Sequence, residues 1–127
     1  MSARSASAAI LLAIAIAGCA TPVPSQPTQF VGVANGRSVR LEQEASLRLP
    51  TGYSRRLAAN RCWQLVGTVP AGDVYRPIDT VFTIEGEQVH EAYLVLARSS
   101  LVGFYLPAEH RYSSLSAPVT LVLGEVQ

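Results

Sequence analysis

The sequence predicts an all-β fold, a small antiparallel β-sandwich or barrel of about seven to eight strands within residues 30–127. Three observations carry this expectation. Short runs alternate apolar and polar residues, the period of a strand with one buried face. Turn-forming residues separate those runs at short intervals. No long segment shows the 3.6-residue period of an amphipathic helix, and no internal repeat is visible. A length of 127 residues suits one domain with a modest core.

In chain order, "SVRLE" (38–42) and "SLRLP" (46–50) alternate cleanly and read as half-buried strands. "SRRLAAN" (54–60) is the one stretch suited to a helical turn. "CWQLVGTV" (62–69) is rich in aromatic and β-branched residues, and Pro70-Ala71-Gly72-Asp73 supplies turn chemistry after it. "TVFTI" (80–84) leads into Glu85-Gly86-Glu87, a three-residue hairpin loop with glycine available for a positive φ. "QVHEAYLVLA" (88–97), a polar break at Arg98-Ser99-Ser100, and "LVGFYLP" (101–107) follow, and "APVTLVLGEV" (117–126) makes the last strand.

The pair 88–97 and 101–107 is the most informative unit. With Ser99-Ser100 as a two-residue loop, Arg98 pairs with Leu101. One face then carries Tyr93, Val95, Ala97, Val102, Phe104 and Leu106; the other carries Leu94, Leu96, Leu101, Gly103 and Tyr105. Both faces are apolar, so the hairpin belongs at the centre of the fold under cover on both sides, or it offers one face to a protein partner. The same register sets His90 opposite Glu109, with Glu91 and His110 one step along on the other face.

The start of the chain carries a separate pattern. Met1 and Arg4 give a positive beginning, Ala8 to Ala17 form a short apolar run, and small residues precede a break, as in a secretory signal. The run falls short of the roughly 20 apolar residues that span a bilayer as a helix. Ile16-Ala17-Gly18-Cys19 resembles the lipobox of bacterial lipoproteins: a branched aliphatic residue, two small residues and a cysteine. The resemblance covers only this beginning. It implies that residues 1–18 are removed and that Cys19 becomes an acylated N-terminus. A thiolate is the nucleophile suited to accept the lipid, and several acyl chains anchor stably at about 0.8 kcal/mol per buried methylene. Ala20, in place of the aspartate that retains such lipoproteins in the inner membrane, implies an outer-membrane location facing the periplasm. Ala13-Ile14-Ala15 and Ala15-Ile16-Ala17 also satisfy ordinary signal cleavage, after which Cys19 could pair with Cys62. That bridge would tie the core to a floppy end and gain little. "TPVPSQPTQ" (21–29) completes a proline-rich linker over 19–29, an extended tether of roughly 30 Å at about 3.1 Å per residue.

Charge narrows the function. Lysine is absent, and once Arg4 leaves with the signal the arginines equal the acidic residues in number. A neutral domain lacks the basic face of a nucleic-acid binder and is not drawn to anionic headgroups. Arg55, Arg56 and Arg61 form the densest positive cluster; the plainer reading is a solvated face balanced by acidic neighbours, and the alternative, since arginine binds carboxylate and phosphate bidentately, is a site for cell-wall peptide or a lipopolysaccharide phosphate. Strand alternation sends Cys62 to the opposite face from Trp63 and Leu65, and an unpaired thiol is best kept buried. His90 and Glu109 suit an ion pair better than a metal or acid–base site, since the chain holds only two histidines and a zinc site needs three or four ligands. Ser113-Ser114-Leu115-Ser116 reads as a hydrogen-bonded loop. Neither a nucleophile elbow, a zinc-helix motif nor a phosphate loop occurs. The expectation is a lipid-anchored, non-enzymatic interaction or assembly module of the envelope with a protein partner and no cofactor or metal. The alternatives are a periplasmic ligand-binding or inhibitor module and, less so, a small hydrolase using His90 and Glu109.

Overall fold

A computed structural model describes residues 21–126; the signal segment and Cys19 lie outside the described residues. The fold is all-β, as the residue pattern requires, but has thirteen strands: β1 Gln26–Pro27, β2 Val31–Gly32, β3 Ser38–Leu41, β4 Ala45–Arg48, β5 Ser54–Leu57, β6 Cys62–Val69, β7 Gly72–Pro77, β8 Thr83–Glu85, β9 Val89–Glu91, β10 Tyr93–Ala97, β11 Ser100–Leu106, β12 Arg111–Thr120 and β13 Leu123–Val126. The added strands are β1 and β2 near the start, β5 and β7 where a helical turn and turn chemistry were expected, β12 across residues expected to form a loop, and the pieces into which the runs 88–97 and 117–126 break. Nine of them form one antiparallel sheet in the order β1-β12-β11-β10-β7-β6-β3-β13, with β2 also on β6, and this sheet is not closed.

The logic is a meander with two inserted ribbons. Ribbon β4–β5 leaves the sheet between β3 and β6, and ribbon β8–β9 leaves it between β7 and β10. Both return to a neighbouring strand, so each lies against one sheet face. Leu47, Leu49, Leu57, Phe82 and Ile84 from the ribbon regions bury with Leu41, Trp63, Tyr75, Leu94, Leu101, Phe104 and Leu106 from the sheet in one large core. The second face holds a smaller core of Val69, Val74, Val95, Tyr105 and Tyr112.

"SRRLAAN" makes no helical turn. Ser54–Leu57 is β5, because Arg55 and Leu57 lie opposite Leu47 and Ala45 in a ribbon whose alternation buries Leu47 and Leu57; Asn60 then turns the chain with φ 68°. Ser113 to Ser116 is not a loop but part of β12, and Ser113 is fully buried. The hairpin also differs from expectation. The loop is Arg98-Ser99, with φ 59° at Arg98 and Ala97 opposite Ser100. A bulge between Leu101 and Gly103 then shifts the register by one. A one-residue shift exchanges the faces. Leu94, Leu96, Leu101, Phe104 and Leu106 therefore share the large core, while Tyr93, Val95, Val102 and Tyr105 share the small one. Both faces are covered.

What covers the second face is the segment expected to be a free spacer. β1 pairs with β12 at one sheet edge, and β2 pairs with Gly67 and Thr68 of β6, beyond the stretch of that strand that pairs with β3. Along the sheet β1 and β2 are six strand steps apart, about 29 Å at 4.8 Å per step, whereas the chain from Pro27 to Val31 reaches at most about 14 Å. The sheet must bend for the segment to bridge it, and register shifts in β6, β10 and β11 supply bending. At the middle of the bridge the Phe30 ring stacks on Tyr105 with centroids 4.8 Å apart. Gly67 makes room beneath it, since a Cβ there would collide with the Phe30 ring. Arg111 fixes the approach by donating from Nε to Ser25 Oγ and from a terminal nitrogen to the Ser25 carbonyl, both at 2.7 Å.

Phe30→Ala and Gly67→Val are each expected to lower unfolding free energy by about 1–2 kcal/mol, read from urea denaturation, and to open residues 21–33 to protease. Burial raises the Tyr105 and Tyr112 phenols above their ordinary 10.0, with the charge of Tyr93 adding to the first. The unfolded chain therefore loses these protons before the folded one. Stability is whole below pH 10 and falls as pH rises beyond it, so urea midpoints at pH 11 should lie below those at pH 8.

Candidate functional site

The arginine cluster is brought together around an aromatic pair. β5 alternates so that Arg55 and Leu57 turn inward while Arg56 turns out, and the turn before β6 presents Arg61 at the surface. The Arg55 guanidinium carbon lies over the Phe82 ring, 4.7 Å from its centre, a cation–π contact. Phe82 meets Trp63 edge-on at 5.7 Å and stacks with Phe104 at 6.0 Å. Arg56, Arg61, Trp63, Val81 and Phe82 line a surface cleft of about 170 Å³. Val81 is 66% exposed at its rim.

The electrostatics leave this cleft with donors to spare. Arg56 Nε lies 3.3 Å from Glu44 Oε1, but both side chains are more than half exposed, which makes the pair weak. Arg55 and Arg61 form no salt bridge among the described residues. Arg55 Nε and Trp63 Nε1 are buried without a hydrogen-bond partner. A buried donor left unpaired costs about 1–3 kcal/mol; of these two residues only Trp63 lines the cleft, so an acceptor that reached its Nε1 would recover free energy. The arrangement suits a ligand with a carboxylate or phosphate beside an apolar group.

Cys62 points away from this cleft, as strand alternation requires, but is only half-buried and forms no disulfide among the described residues. Cys19 lies outside the described residues. His90 and Glu109 do meet, with Nδ1 and Oε1 2.7 Å apart and the side chains 17% and 36% exposed. The expected ladder does not bring them together: His90 belongs to β9, paired with β8, and Glu109 sits in the turn after β11. His110 takes a left-handed φ of 56° and places its Nδ1 3.1 Å from the Tyr105 hydroxyl. The two histidines thus have separate partners. Among the described residues no three metal-ligating side chains cluster, and His90 makes its one side-chain hydrogen bond to Glu109.

Sequence reasoning found the arginines and noted Trp63, but missed Phe82 and Val81, which come from a different segment. Only the aromatic within "TVFTI" offered a signal, and nothing in its spacing pointed at Arg55. Comparison with protein-family models, curated proteins and solved structures returns no match.

Arg55→Ala removes the cation lying on Phe82 and should cost about 1 kcal/mol, measured as a lowered urea midpoint. Ser113→Ala removes a buried hydroxyl that has no partner and should leave stability unchanged or raise it by up to about 1 kcal/mol.

Proposed function

We propose that the chain is a lipid-anchored lipoprotein of the bacterial envelope, held by an acylated Cys19 in the outer membrane and facing the periplasm. Its β-domain acts as a non-enzymatic interaction module. The anchoring half of this reading rests on Ile16-Ala17-Gly18-Cys19 following an apolar run too short to span a bilayer. The binding half rests on one observation, the cleft in which Arg56 and Arg61 flank Trp63 and Phe82. Guanidinium groups beside aromatic surface recognise an acidic, partly apolar segment of a protein partner, because the planar fork bonds carboxylate while the rings exclude water. The same chemistry serves a ligand-binding or inhibitor module if the bound group belongs to cell-wall peptide.

Two measurements test the halves separately. Cys19→Ser should move the protein from the membrane fraction to the soluble fraction; a variant that stays with the membranes refutes the anchor. Arg56→Glu with Arg61→Glu should reduce capture of envelope protein or cell-wall material at least tenfold while the urea midpoint stays near that of the wild type. Unchanged capture refutes the cleft.

A further inference from the structure

The tether is not free where it reaches the domain. The Thr21 carbonyl accepts a hydrogen bond from the Glu87 backbone N–H at 3.0 Å, and Val23 packs against the large core. Gly86 makes the seat: a Cβ there would stand 2.8 Å from the Thr21 oxygen and 2.8 Å from Val23 Cγ2. The neighbouring turn is tied in as well, with Thr51 Oγ1 donating to the Glu85 carbonyl at 2.9 Å. The seated Thr21 is thus two residues from Cys19, and fully extended chain covers only about 7 Å over that distance. A domain on so short a lead cannot stand clear of the lipid as a roughly 30 Å spacer would allow.

We infer that the acylated domain rests directly on the bilayer surface in one orientation, with the hairpin turn 86–88 and the turn 50–53 toward the headgroups. The inference rests on the lipoprotein reading above. Val89, the strand residue next to the first turn, is 66% exposed, and Tyr53 in the second is 42% exposed; tyrosine presents an apolar body with a polar tip suited to an interface. Glu87 and Glu91 are exposed on the same hairpin. Charge therefore does not draw this face to anionic lipid; the covalent anchor enforces the contact, and uncharged headgroups suit it best. The chain beyond the bridge pairs with β6 of the large sheet, so the turn holding Ala34 belongs to a different element from the β8–β9 hairpin.

The full acylated chain, carrying Cys62→Ser and a fluorophore on either Gln88→Cys or Ala34→Cys, is reconstituted into phosphatidylcholine–phosphatidylethanolamine vesicles holding a headgroup-linked quencher. The fluorophore at position 88 should be quenched at least threefold more than that at position 34. About ten glycine and serine residues inserted between Ala20 and Thr21 should remove the difference, since the lead would then reach tens of ångströms. Equal quenching at both positions in protein that sediments with the vesicles overturns the orientation and leaves the anchor standing. Protein that stays in the supernatant overturns the anchor reading, and the orientation with it.

Discussion

A sheet with two apolar faces needs two covers, and in this protein the second cover is a short piece of chain. Phe30 sits between Gly67 and Tyr105 while the residues on either side of it pair with β12 and with β6. The contact works only because position 67 has no side chain and because the bridge is too short to let the sheet lie flat. It covers the Tyr105 ring, occupies part of the β12 edge and sets where the N-terminal segment leaves the surface. Exposed strand edges invite pairing with other chains, so one segment solves a burial problem and an edge problem together.

The first face is covered differently, by ribbons that leave the meander and return to the adjacent strand. This arrangement creates the arginine–aromatic cleft. Arg55 and Phe82 come from different ribbon regions and meet because both regions lie on the same sheet face. The cleft and the seat for Thr21 therefore depend on the same two ribbons. In the proposed lipoprotein, partner recognition and membrane orientation would be carried by one layer of the molecule, with the bridged face behind it. The His90–Glu109 contact lies outside the cleft lining and closes the space between β9 and the turn after β11.

Strand content was legible because its cause is local. The alternation in "SVRLE" and the β-branched, aromatic run "CWQLVGTV" give β3 and β6 almost to the residue. The apolar faces of the 93–106 hairpin were legible as a need for double cover. Its register was not, since the bulge at Val102 depends on how β11 meets two neighbours at once. "SRRLAAN" misled because arginine, leucine and alanine favour helix locally, and pairing with β4 overrode that preference. "TPVPSQPTQ" misled because composition describes an unattached chain: prolines keep it extended, which is the shape a bridge over a sheet also needs.

The sequence by itself determined the all-β class, the positions of most strands, the near-balanced charge, the lipobox resemblance and the arginines at 55, 56 and 61. These follow from short-range periodicity and residue chemistry. Only the tertiary structure decided that residues 26–32 bridge the second face, that Phe82 and Val81 complete the cleft, and that His90 reaches Glu109 without a shared ladder. Each of these joins segments far apart in the chain through sheet order, bulges and the room left at glycines, and none of those is written in the spacing of neighbouring residues.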